Sequence, residues 1–418
     1  MASSTVIPAD TTSHSTPGNN KSTRLYYLDW LRNILIFGVF LYHVLKPFDP
    51  LMPWHIDNAE KSDVVMGILL TINPWGIPLF FLVAGAGSWF ALHRRSNRQY
   101  ARERVNRLLI PFVVGVILLT PFQRYLEALH SEAMHGSFLR FIPEWLTETA
   151  SDNWFTPLIF SNWGLHLWFL GFLFTFSLLA LPVFNWLKRD TGDAFISWLA
   201  RLVEKRGTIL LFVIPLALAR VVVQRFDPLP AEHGWLDFVY FFLFFVSGYI
   251  IYTDDRFLAA VRRDRWLLLA SGVVGMGAYF ALSAVYGEDV VLAWGMSFIF
   301  PGSIVANLCF TLIGWGWALF VLYLAMTRLD FTNKLLAYAN SVIMPFYLLH
   351  QPVIIAVSYF VVQWDVSVLM KMLVIGSSSL LISLGLIELL IRPFEPMRKL
   401  FGMKPDRRSQ EKDKMVLA

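Results

Sequence analysis

Ten blocks of apolar residues, each about twenty residues long, succeed one another between residues 25 and 391. That is the length of helix that crosses a hydrocarbon core about 30 Å thick. The blocks fall at about 25–46, 63–92, 106–126, 166–187, 207–224, 236–253, 266–286, 303–327, 338–362 and 367–391. The fold class this implies is all-α, a polytopic membrane protein of about ten transmembrane helices. Only 16% of the chain is charged, where a soluble protein carries about 25%.

The second block is longer than a span needs. It contains Asn73-Pro74-Trp75-Gly76, which predicts a kink or a break. No internal repeat is evident, which weighs against the inverted-repeat transporter folds. Residues 1–23 are rich in Ser, Thr, Pro and Asn and have no apolar core, so they read as a disordered cytoplasmic tail and not as a signal peptide. Residues 24–395 form one ten-helix membrane domain in this reading, and 396–418 a basic cytoplasmic C-terminal tail.

A sequence pI near 9.2 raises nucleic acid as a partner, but the charge follows topology instead. With the N-terminus placed inside, 27 of the 35 Lys and Arg fall in inner segments. This is the positive-inside pattern of an N-in, C-in protein. The outer segment 127–152 is acidic, with Glu127, Glu132, Glu144, Glu148 and Asp152. The single Cys309 can form no intrachain disulfide, and no Cys/His cluster has metal-ligand spacing. Neither a metal nor a permanently bound cofactor is expected.

Against this apolar background the first helix stands out. Residues 28–43, LDWLRNILIFGVFLYH, contain Asp29, Arg32 and His43. Ionisable groups inside a membrane span are costly and usually mark function. Eleven residues at 100° each bring Arg32 and His43 within about 20° of one face, roughly 16 Å apart along the axis. Asp29 lies three residues before Arg32, within reach of an ion pair. One reading is that this face lines the bundle interior. The other is that Asp29 and Arg32 snorkel at one interface and His43 sits at the other; spacing alone favours neither.

Arg104-Val-Asn-Arg107 stands at the inner entrance of the third span, where two arginines at i and i+3 can fork a phosphate. The positive-inside rule also predicts arginine there. His166 opens the fourth span, within Trp163-Gly-Leu-His-Leu-Trp168, on the side where His43 closes the first. The two histidines can share a site, although aromatic belts favour such residues at an interface too. His350 and Gln351 lie near the middle of the ninth span, where a buried polar pair needs partners. Glu388 and Arg392 have the spacing of a structural ion pair.

Taken in order, these motifs resemble the acyltransferase-3 family of integral-membrane O-acyltransferases. Arg32 and His43 in the setting LDWLR…H are similar to its first-helix signature. Phe80-Phe-Leu-Val-Ala-Gly85 resembles its Phe-Phe-x-x-Ser-Gly, with Ala84 in place of serine. Arg104-Val-Asn-Arg107 with Pro111 resembles its Arg-x-x-Arg motif, and Ser341 to Gln351 its late Ser…Tyr-x-x-His segment. The match covers about 25–395. The pattern from His166 to Leu170 and the ending Arg392-Pro-Phe394 look most like the glucan biosynthesis protein C branch, which is associated with succinylation of periplasmic glucans. Some family members carry a fused esterase-like domain. This chain, which ends soon after its last span, is expected to act alone or to pass its acyl group to a separate protein.

The resemblance implies an acyl-CoA donor (acetyl-CoA or succinyl-CoA) on the cytoplasmic side. It implies an acceptor hydroxyl on an extracytoplasmic carbohydrate, such as a periplasmic glucan or cell-surface polysaccharide. The setting would be the bacterial inner membrane. Arg104 and Arg107 would bind the donor. His43 would serve as general base, which suits a group that titrates near neutrality, with an acyl-histidine as a less favoured variant. Arg32, held by Asp29, would stabilise negative charge. His166, Trp168 and His350 would line the acceptor side or the channel. The rival readings are a secondary transporter or exporter of a small anionic or sugar substrate, which would also suit intramembrane His and Arg, and a polytopic sensor or scaffold.

Overall fold

The computed structural model describes residues 25–133, 136–150, 155–227, 231–287 and 302–403. The tail 1–23, Asp152 and the C-terminal residues after 403 lie outside the described residues. Every regular element among the described residues is helical.

Nine of these helices are long and apolar enough to cross a membrane. They are Tyr26–Phe48, Asp63–Arg94, Asn97–His130, Ile159–Leu179, Thr208–Phe226, Arg265–Tyr286, Ser303–Arg328, Lys334–Val361 and Val368–Ile391. The sixth block forms Trp235–Ile251, then turns by 105° into Asp255–Arg263; counting that bent pair as one span gives ten. The turn is capped by Asp254, whose side chain accepts from the Arg256 amide. The helices that lie between spans include Phe138–Ala150 and Asp190–Val203. The second of these buries Gly192, Ile196, Ala200 and Val203, a single stripe at helical spacing.

Of the kink or break predicted at Pro74, the second span shows no break. It is one helix of 32 residues with Pro74 and Pro78 inside it. Pro78 has no N–H to offer the Pro74 carbonyl four residues back. That carbonyl instead lies against Gly314 of the eighth span, where a Cβ would come within 3.0 Å of it. One turn away, Trp75 Nε1 donates to the Thr71 carbonyl at 2.9 Å. A neighbouring backbone thus covers the group the proline frees, and the helix runs on.

Two other spans are less regular than their hydropathy suggests. The third begins near residue 97, widens into a π turn at Val105–Leu109, and breaks at Leu119 before Thr120–His130. The fourth begins at Ile159, earlier than the sequence indicated, and passes through a tight 3₁₀ turn at Leu165–Leu167 before Trp168–Leu179. Leu165 there adopts a φ of +49°.

Small residues let the spans approach closely. A methyl group on Gly85 would overlap the Phe245 carbonyl, and one on Gly248 would overlap the Leu82 carbonyl. The second and sixth spans therefore cross backbone to backbone through reciprocal glycines. The ninth span is the most enclosed, with 72% of its apolar window buried, and it packs beside the first and tenth spans.

Candidate active site

The first and ninth spans are joined by polar contacts at two levels. At one, the Arg32 guanidinium donates to Asn340 Oδ1. Asn33 Nδ2 donates to the same oxygen at 2.9 Å, and Arg32 Nη2 lies 3.3 Å from Asp29 Oδ1. At the other, His43 Nδ1 stands 3.1 Å from His350 Nε2. Residue numbers rise together on both helices, so the two spans are parallel, as alternating crossings require of the first and ninth. Eleven residues on one helix and ten on the other place the two levels roughly 15–16 Å apart.

The histidine level has a defined proton order. His350 Nδ1 donates to the Tyr347 carbonyl at 2.6 Å, so in the neutral ring Nε2 is the acceptor. His43 must then donate from Nδ1, which leaves the lone pair on His43 Nε2. His350 is fully buried, while His43 is half-buried. The third histidine arrives from the 3₁₀ turn of the fourth span. The His166 ring centroid lies 5.1 Å from that of His350 and 6.5 Å from that of His43. His166 Nε2 donates to the Leu348 carbonyl at 3.2 Å, and the Tyr347 hydroxyl donates to the His166 carbonyl. His166 Nδ1 is buried with no partner among the described residues.

Residues far apart in sequence thus converge on one end of the bundle. Trp168 points elsewhere. It stacks on His233 at 4.0 Å between centroids and packs against Phe172 and Phe241, within the aromatic core between the fourth and sixth spans. His233 lies in the loop before the sixth span, and burial pushes its imidazole below its ordinary value.

Arg104 and Arg107 are at the opposite end, with Asp29. That end is fixed by Tyr252, which meets both the Tyr27 hydroxyl at 3.0 Å and the Phe90 ring. The two arginines take separate partners. Arg104 donates to Ser88 Oγ at 3.2 Å and lies over the Tyr100 ring at 4.6 Å. Arg107, inside the π turn, pairs with Glu103 at 3.7 Å. Arg104 directly precedes the π turn that holds Arg107. Glu388 accepts from Arg392 and also from the Tyr338 hydroxyl, which ties the tenth span to the ninth.

Several neighbours of the site gave no sequence signal. Asn340 is an ordinary polar residue near a helix start. His55 and Glu127 lie in a connecting loop and at a helix end, and only folding brings them beside Gln351. Among the described residues no group of three or more His, Cys, Asp or Glu could hold a metal.

The family model described as an acyltransferase domain, that of the acyltransferase-3 family, matches residues 25–388. The chain belongs to this family. Nine membrane-length helices among the described residues make this member of the acyltransferase-3 family an integral membrane protein. Glucans biosynthesis protein C of Salmonella agona is 26% identical over 238 residues, covering 54% of this chain and 57% of that protein. The protein of the same name from Salmonella enteritidis is 25% identical over 168 residues, 40% of each chain. The chain thus spans between 40% and 57% of the length of these curated relatives. No solved structure matches it.

Proposed function

We propose that this acyltransferase moves an acetyl or succinyl group from cytoplasmic acyl-CoA to a hydroxyl of an extracytoplasmic carbohydrate. The names of its relatives make a glucan the first candidate acceptor, and a bacterial inner membrane the setting. The observation that carries the reading is the ordered pair His43–His350, which leaves a lone pair on His43 Nε2.

In this reading His43 Nε2 takes the proton of the acceptor hydroxyl as its oxygen bonds to the thioester carbonyl carbon. The C–S bond then breaks, and the departing thiolate takes the proton back from His43. His350 holds the tautomer, as the buried carboxylate does in a serine-protease triad. His166 helps at the acceptor side. Arg32, oriented by Asp29 and Asn340, steadies negative charge on the donor half. Arg104 and Arg107 meet the CoA phosphates, with Arg95 held close to Arg107 by the Glu103 that those two share. The roughly 16 Å between Arg32 and His43 is the path of the thioester arm.

The test uses purified protein in nanodiscs with labelled acetyl-CoA or succinyl-CoA. CoA release that needs His43 and favours one donor supports the reading and names the acyl group. The double variant Arg104→Ala/Arg107→Ala should raise the donor KM. If neither donor binds or turns over with carbohydrate present, the enzyme reading fails and transport assays follow.

A further inference from the structure

The loop joining the first and second spans folds back over the histidine level. The Trp54 ring lies 6.0 Å from that of His43, tilted by only 20°, and 5.3 Å from that of His55. Gln351 Nε2 donates to His55 Nε2 at 3.2 Å, which puts the His55 proton on Nδ1. That proton goes to Glu127 Oε2, 2.7 Å away. Gln351 adjoins His350, so contacts run in a closed ring through His43, His350, Gln351, His55 and Trp54. Glu127 hangs from this ring and is also held by Arg124 at 3.0 Å.

Three features of this ring point to a ligand. First, Trp54 is half-buried beside His43, which leaves part of an aromatic side chain exposed where an acceptor hydroxyl would lie. Second, the Glu127 carboxylate is fixed by two donors yet remains 32% exposed, with a lone pair left on Oε1, which takes only the longer 3.3 Å contact from Arg124. Third, Gln351 is 2% exposed and its Oε1 is buried without a partner among the described residues. The charge of Glu127 is already balanced by Arg124, so the ring has no need of an ionic ligand. What it lacks is hydrogen-bond donors above an aromatic face. A neutral sugar supplies both, an apolar C–H face and adjacent hydroxyls.

We propose that Trp54, His55 and Glu127 form a subsite that holds a neutral sugar unit of the acceptor beside His43. Trp54 is the stacking face, Glu127 accepts from the sugar hydroxyls, and His55, locked by Gln351, positions the carboxylate. The proposal rests on the acyltransferase reading above for what happens to the bound sugar, but not for the binding itself.

The experiment measures binding of labelled α- and β-linked glucohexaose to the full chain in nanodiscs by equilibrium dialysis. Wild type should bind one of these. Trp54→Ala and Glu127→Ala should weaken binding about tenfold or more, as loss of a charge-assisted contact does. Trp54→Phe should keep most of it, and Glu127→Gln, which retains one acceptor oxygen, should fall between. In turnover the acceptor KM should rise while the donor KM stays put. Should an alanine variant fail to fold, Trp54→Leu, which fills the space without an aromatic face and should lose most of the binding, and Glu127→Gln decide. Binding by the variants that equals wild type, or no binding of either hexaose by wild type, overturns the subsite. Binding that depends on Trp54 and Glu127, with no His43-dependent CoA release, overturns the catalytic reading and leaves the subsite standing.

Discussion

His43 on the first span and His350 on the ninth share a hydrogen bond of 3.1 Å, and the Tyr347 carbonyl settles which ring donates. Replacing His43 by Ala should lower turnover by roughly 10²–10⁴-fold, the usual worth of a positioned acid–base group. His350→Ala should lose less, because the base itself remains, but its pH–rate profile should change shape. His350→Gln should recover part of the loss, since Gln offers an oxygen to His43 Nδ1. Steady-state rates across pH for the three variants check this; equal profiles for wild type and His350→Ala would remove His350 from the role.

Asn340 Oδ1 receives two donors, Arg32 and Asn33. Asn340→Leu leaves both short of an acceptor in a half-buried place, at a cost of about 1–3 kcal/mol. Asn340→Asp keeps the oxygen and adds charge opposite Arg32, so it should fold at least as well as wild type. Thermal melts in detergent and the donor KM of both variants provide the measurement.

Glycine positions divide sharply by surroundings. Gly85 and Gly248 touch the facing backbone, whereas Gly38 has nothing within 4 Å of a would-be Cβ. Gly248→Leu should abolish folded yield because two backbones must separate to admit it. Gly38→Ala should be neutral or gain up to about 1 kcal/mol from helix propensity. Size-exclusion profiles after extraction distinguish the two.

Asp264 staples the segment after Asp190–Val203 to the start of the seventh span. It accepts from the Gly207 amide at 3.0 Å and from Arg263 at 2.7 Å. Gly207 meets it with a φ of +82°, which glycine adopts without strain. Burial opposes ionisation of Asp264, but the Arg263 and Gly207 hydrogen bonds outweigh it and hold the carboxyl below its ordinary value. A depressed carboxyl stabilises the fold above the unfolded value and stops doing so as pH falls through the folded one. Wild type should therefore lose melting temperature below about pH 4. Asp264→Asn should start lower and lose less of it over the same range.

The architecture was largely legible because lipid demands long apolar helices. The number of spans and most of their positions follow from that demand alone. Of the kink or break predicted at Pro74 the break is absent, because a local rule about proline cannot see Gly314 covering the freed carbonyl. The sharp turn after Ile251 is likewise invisible to a hydropathy window. The spacing of Arg32 and His43 was readable as a shared face, but their partners Asn340 and His350 were not, since helix periodicity says nothing of which neighbour that face meets. His55 and Glu127 lie outside any periodic pattern and enter the site only through a loop and a helix end. The π turn that holds Arg107 is announced by no residue type.

The two contacts between the first and ninth spans depend on an interval, ten intervening residues between Arg32 and His43. Those residues can drift in identity as long as they stay apolar, but not in number. Inserting or deleting one would swing His43 by about 100° from His350 while Arg32 kept its place. Over time, length in this stretch should therefore be guarded more strictly than composition.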